Sequence, residues 1–173
     1  MRTSTSMGIA TISLAAVLGG SLAIGSAVVA SAKPTGSDDR GHPTVLHLTA
    51  ETDQSADPNG GNPGPPPGPG DQIVSTDRIS RFGKPVGRGG TVLTVVGATP
   101  TALTTQVVTT LDLHDGQIVL QGIGDGPTGP PTEPITFTLA VTGGTGTYQN
   151  ARGFADIIDR PGGAETITIS LRG

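Results

Sequence analysis

From Glu165 to Leu171 the chain alternates without a break: Ile167, Ile169 and Leu171 share one parity, and Thr166, Thr168 and Ser170 the other. A period of two, apolar against hydroxyl, predicts a half-buried strand. Leu103–Asp112, full of Thr and Val, carries the β-branched side chains that suit a pleated surface. Similar short runs, broken by Gly, Pro and Asp, predict strands over Thr44–Glu51, Gln72–Ser80, Thr91–Ala98, Gln117–Ile123, Ile135–Val141 and Arg152–Asp159. No stretch of this part of the chain has a helical period. His114-Asp115-Gly116 reads as a tight hairpin between two of these strands. Short turns make neighbours antiparallel, because parallel pairs need long crossovers. The expectation is an all-β domain of eight antiparallel strands, and strand counting leaves a sandwich and a closed barrel equally open.

Two segments depart from this pattern. Asp53–Gly70 holds Asn59-Gly60-Gly61-Asn62 and Pro63-Gly64-Pro65-Pro66-Pro67-Gly68-Pro69-Gly70. Proline cannot donate to a sheet ladder, so a long loop inserted within one domain is expected there. The second is Val141-Thr142-Gly143-Gly144-Thr145-Gly146-Thr147-Tyr148. A phosphate loop would need Lys and Ser or Thr after its last glycine, then a helix, and neither follows. Gly143, Gly144 and Gly146 are instead expected to supply positive φ in a strand-to-strand turn. Tyr148 would then fold back on the end of the domain with its hydroxyl near water.

The N-terminus changes the compartment. Arg2 precedes an uncharged, mostly apolar run over residues 7–30, which closes on Ala30-Ser31-Ala32 before Lys33-Pro34. This is the layout of a secretory signal peptide, residues 1–32, with a polar, flexible segment over 33–43 and the β domain over 44–173. The competing reading is a retained membrane anchor. Cleavage after Ala32 would remove Arg2 and no acidic residue, so the secreted chain would be one unit more negative than the −4 of the whole. A mildly acidic domain without basic clusters has no electrostatic affinity for nucleic acid or, once the leader is gone, for an anionic membrane.

The chain has no cysteine. That excludes thiol catalysis, thiolate metal sites and disulfides. His42, His47 and His114 have no metal-site spacing, and Asp112, Asp115 and Asp125 lack the pattern and final Glu of a calcium loop. No cofactor is expected and no nucleophile elbow is present. With one Tyr, three Phe and no Trp, stacking platforms are missing, and any cavity should be lined by aliphatic groups.

Leu139-Ala140-Val141-Thr142-Gly143-Gly144-Thr145-Gly146, followed by an aromatic and Ala151-Arg152-Gly153, resembles a stretch shared by allene oxide cyclases and dirigent proteins. Gly70-Asp71-Gln72-Ile73-Val74-Ser75-Thr76-Asp77, Val86-Gly87 and Ile118-Val119-Leu120-Gln121-Gly122 resemble further cyclase segments in the same order. The resemblance implies an eight-stranded antiparallel barrel with an apolar cavity, assembled as a homo-oligomer, trimer or dimer. It places the cyclases' catalytic Glu and Asn at Leu48 and Ala50, or at a register that turns Glu51 inward, their pocket Cys at Leu93 and their pocket Asn at Asp77. Allene oxide cyclisation is therefore not expected, and no catalytic residue can be named.

Asp77 is singled out by parity. If it faces inward, so do Ile73, Ser75 and Ile79, and an apolar cavity would raise its pKa. Alternatively Asp77 ends a strand and pairs with Arg78 or Arg81 at the rim. The expected ligand-binding set is Asp77, Ser75, Ile73, Leu48, Ala50, Leu93 and Tyr148. The expected function is a secreted barrel that binds and orients an apolar small molecule, as dirigent proteins do. Two alternatives stand beside it. One is a cyclase or isomerase acting on a flexible lipid-like or polyketide-like substrate, and the other is a structural exported protein.

Overall fold

Alternation is realised first in β1, Thr44–Ala56. Leu46, Leu48 and Ala50 are buried while His47, Thr49 and Glu51 are exposed. Seven more strands follow in a computed structural model that describes residues 44–57, 65–129 and 131–172. They are β2 (Gln72–Arg81), β3 (Lys84–Ala98), β4 (Ala102–Leu113), β5 (Gly116–Pro127), β6 (Ile135–Gly144), β7 (Arg152–Asp159) and β8 (Ala164–Arg172). Each pairs antiparallel with the next, and β8 returns to pair with β1, so the sheet closes into a barrel. Closure resolves the choice between sandwich and barrel and gives every strand a neighbour on both sides, although β5 and β6 pair only over Ile118–Gln121 and Ala140–Gly144. The leader expected over 1–32 and the segment 33–43 lie outside the described residues, as does the middle of the Pro/Gly loop.

The inner face is filled by one aliphatic core that includes Leu48, Ile79, Leu120, Leu139, Ile157 and Ile169. The outer face is mainly threonine and charge, with scattered apolar residues such as Val45, Val96, Ile123 and Phe154 and one contiguous apolar row. Val74, Val92 and Val108 are exposed and stand directly opposite one another across β2, β3 and β4.

Two boundaries differ most from the sequence reading. β1 continues past Glu51 to Ala56, through a bulge between Thr52 and Gln54, so the loop expected from Asp53 starts later. β3 starts at Lys84 rather than Thr91, because Lys84–Gly90 pairs with β2 and Gly87–Gly90 with β4 as well. The two-residue turn before it, Phe82-Gly83, has φ of 51° and 72°, the primed geometry that matches strand twist. The hairpin expected at His114-Asp115-Gly116 is present between β4 and β5.

The glycine motif is also corrected. Only Gly146, opening the 3-10 turn Gly146–Tyr148, has positive φ, at 59°. Gly143 and Gly144 end β6 without it. Gly144 is required for another reason: a methyl group there would lie 2.6 Å from the Tyr148 carbonyl oxygen and would strike that of Gln117. At Gly143 the nearest atom to such a methyl is Arg152 Nη1 at 3.9 Å. Gly144→Ala is accordingly expected to lose about 2 kcal/mol and Gly143→Ala less than about 1 kcal/mol. Equal melting temperatures for the two variants would contradict this division.

Candidate functional site

β2 carries Ser75, Asp77 and Ile79 inward and Val74, Thr76 and Arg78 outward, with Ile73 half-buried against the core. Asp77 is thus an interior carboxyl and not a rim residue. Arg78 lies outside, 3.9 Å from Glu51 and 3.7 Å from Asp53. Thr52 stands opposite Asp77 on β1 and hydrogen-bonds its carboxyl. On the other side Asp77 faces Gly89 of β3, where a methyl group would lie 3.3 Å from Oδ2. A glycine there gives the carboxyl room against bare backbone.

Two further carboxyls share this half of the barrel. Asp159 ends β7 on the parity of Ala155 and Ile157, and Glu165 opens β8 on the parity of Ile167 and Ile169. They are direct cross-strand partners, and Glu165 also faces Ala50 of β1. Asp159 is 0% exposed, Glu165 4%, Asp77 6% and Ser75 8%. Among the described residues, Oε1 of Glu165, Oδ1 of Asp77 and Oγ of Ser75 have no hydrogen-bond partner, and neither oxygen of Asp159 has one of good geometry. Buried polar atoms are nearly always satisfied, so five in one region is a departure that calls for a cause. Neighbouring hydroxyls do pair: Thr91, opposite Ser75, is 2.9 Å from Thr109.

Burial sets the protonation of the group. It raises the Asp77 carboxyl, with the Thr52 hydrogen bond opposing. It pushes Asp159 up to about 7, with the dipole of the nearby Arg160 backbone N–H opposing. It pushes Glu165 up to about 9, helped by the charges of Asp159 and Asp77. At neutral pH Glu165 is a neutral acid and can donate a hydrogen bond to something inside the barrel. Among the described residues no group of His, Asp or Glu is arranged to hold a metal ion.

Ala50, the cross-strand partner of Glu165, and Leu93, the partner of Ile73, are buried in the wall. Leu48 and Tyr148 belong to a cavity of about 130 Å³ at the opposite end, beside the 3-10 turn. Leu48 and Ala50 face inward and Glu51 outward, which fixes the register of β1. Asp159 and Glu165 were not singled out by the sequence reading. The signal was available, because both continue the apolar alternation of their strands.

The family model described as allene oxide cyclase barrel like domain matches residues 44–168. No curated protein matches the chain. Among solved structures, a pyocyanin demethylase is 28% identical, with 74% of this chain and 99% of that one covered and a TM-score of 0.60. An exo-specific intermolecular Diels-Alderase is 16% identical over 77% of this chain and 100% of that one, with a TM-score of 0.58. A pterocarpan synthase dirigent protein is 17% identical over 84% and 96%, with a TM-score of 0.53. The last two likenesses are of fold alone. The closed eight-stranded barrel, the glycine motif at the end of β6 and the family match over nearly the whole described chain place this protein in the allene oxide cyclase barrel-like family.

Proposed function

We propose that this protein binds an apolar small molecule inside the barrel and orients it by hydrogen bonds from protonated carboxyls. The observation that carries the reading is the set of buried, unpartnered oxygens on Ser75, Asp77, Asp159 and Glu165. An unsatisfied buried polar group costs about 1–3 kcal/mol, which a ligand with hydrogen-bonding atoms would recover on binding. The aliphatic wall excludes water and strengthens those bonds. The ligand is an apolar body with at least one acceptor, such as a carbonyl or ring nitrogen, for the Glu165 proton. The leader pattern in residues 1–32 supports action outside the cell. The outward row Val74, Val92 and Val108 supports the homo-oligomer.

A second reading is favoured by one observation. Asp159 and Glu165 are adjacent, and burial leaves one near 7 and the other near 9. One can accept a proton at neutral pH while the other gives one, as an isomerase or cyclase needs. The 28% identical structure is named as a demethylase of a small molecule, and another as a Diels-Alderase. Small-molecule chemistry in such a barrel is therefore in keeping with its neighbours.

Two substitutions separate the readings. The protein is titrated with matched apolar probes, one bearing a carbonyl and one not. Wild type is expected to prefer the carbonyl probe by about 10- to 100-fold, and Glu165→Leu to lose that preference. Glu165→Gln keeps a donor but cannot transfer a proton. It should retain binding, and it should abolish any turnover if the second reading holds. Absence of binding by either probe would overturn the ligand reading itself.

A further inference from the structure

The cavity at the opposite end of the barrel has a chemistry of its own. Its floor is aliphatic, formed by Leu46 and Leu48 of β1, Val86 of β3 and Leu113 of β4. Its rim carries Arg81, Asp115, His114 and Tyr148, the first three of them exposed. Arg81 and Asp115 act on the Tyr148 hydroxyl with opposite sign. They nevertheless form no ion pair with each other or with any other described residue. Arg78 and Arg88 by contrast pair with Glu51, Asp53 and Asp112.

The Arg81 guanidinium rests 5.5 Å from the centroid of the Phe82 ring. Phe82 itself is 82% exposed and held at φ 51°, a conformation a bulky residue rarely adopts. That conformation is the one the two-residue turn Phe82-Gly83 requires, and it fixes where the ring stands. The rim is held by backbone hydrogen bonds from His114 N to Val86 O at 3.1 Å and from Thr147 N to Asp115 O at 2.9 Å. Asp115 and, through its pairing with Lys84, Arg81 therefore project from hydrogen-bonded backbone.

We propose that this end of the barrel is a second binding site, for a free α-amino acid with an aliphatic side chain. A guanidinium and a carboxylate, both unpaired, flank a small apolar cavity, and a zwitterion with an apolar tail satisfies all three. Arg81 takes the carboxylate, with the Tyr148 hydroxyl as a further donor, and Asp115 takes the ammonium. The side chain enters between Leu46, Leu48, Val86 and Leu113. A volume of about 130 Å³ limits the tail to roughly the size of benzene or smaller, which admits valine or leucine and rejects tryptophan. The site is separate from the carboxyls of β2, β7 and β8, so it does not depend on the function proposed above.

Calorimetric titration of the purified protein with leucine tests this, beside 4-methylpentanoate, isopentylamine and glycine. These lack the ammonium, the carboxylate and the side chain in turn. Leucine is expected to bind once per chain, and each of the other three at least tenfold more weakly. Arg81→Gln and Asp115→Asn should each weaken leucine at least tenfold. Both positions are exposed, so the melting curve should stay that of the wild type. Backbone amide shifts should move at Leu113–Asp115 and Tyr148. No heat at millimolar leucine would overturn the proposal. So would equal binding of 4-methylpentanoate, unchanged affinity in both variants, or shifts confined to Asp77, Asp159 and Glu165.

Discussion

Unfolding free energy is expected to fall by about 3 kcal/mol as pH rises from 5 to 9. The folded chain holds protons on Asp159 up to about 7 and on Glu165 up to about 9, whereas the ordinary values are 3.8 and 4.5. Between each ordinary value and the raised one, the folded state binds a proton that the unfolded state has lost. Stability then decreases with pH, by about 1.4 kcal/mol per unit for each such proton before screening. The stabilising protonation is complete below pH 4, begins to be lost above it, and is exhausted above about 9. Asp77 adds to the same trend, since burial raises it too. Screening by solvent keeps the total near 3 kcal/mol rather than the full two-proton slope. Urea denaturation across that range, with the slope against urea held constant, measures the effect. Glu165→Gln should flatten the curve and make the variant the more stable protein at pH 9. A wild-type curve that is flat or rises would mean that these carboxylates are ionised and paired in the folded state.

Gly153→Ala is expected to destabilise the protein by about 3–5 kcal/mol, the largest effect of any single methyl group considered. Gly153 lies near the start of β7, opposite Val141 and Leu171, with φ at 148°. Only glycine adopts that region without strain. A methyl group would also strike the Ser170 carbonyl oxygen and lie 3.2 Å from Leu171 Cα. Both neighbours are backbone of β8, so neither can turn aside as a side chain would. Gly162 supplies the control. Its φ is 101°, but a methyl group there meets nothing within 4 Å. Gly162→Ala should therefore cost about 1 kcal/mol through backbone strain alone. Thermal melts of the two variants decide the matter. Similar midpoints would show that the β7–β8 seam yields more readily than its geometry implies.

The inward course of β2 was legible because Ile73, Ser75, Asp77 and Ile79 share one parity, and the structure buries the last three. The same alternation ran through Ile157 to Asp159 and from Glu165 to Ile167. At those two strand ends parity alone does not mark burial, because Asp and Glu there are ordinarily solvated. What placed them inside was tertiary: β7 and β8 keep their ladder to the last residues, and β1 lies alongside Glu165. Lys84–Gly90 was illegible as strand for a related reason. Three glycines and a proline give it little intrinsic preference, and pairing with β2 and β4 imposes the conformation. Closure itself left no local trace. It rests on β1 meeting β8, which no turn signal between neighbours can announce, and the family resemblance supplied what strand counting lacked. The division of the expected ligand residues between two ends of the barrel was equally hidden. Leu48 and Asp77 both face inward, and parity says nothing of height along the axis.

The pairing of Thr44 with Leu171 and of Leu46 with Ile169 joins residues more than about a hundred positions apart. Such contacts dominate the contact order of the chain, and high contact order makes folding slow. The seam has a further consequence for synthesis. Until the final strand has left the ribosome, β1 has no second neighbour, and its Leu46, Leu48 and Ala50 have no partners from β8. A chain truncated before residue 164 could form hairpins but not an enclosed interior. Until β8 is available, the nascent barrel is therefore an open sheet with two unpaired edges. In that state it is open to holdase chaperones, and it acquires its resistance to aggregation in one late step.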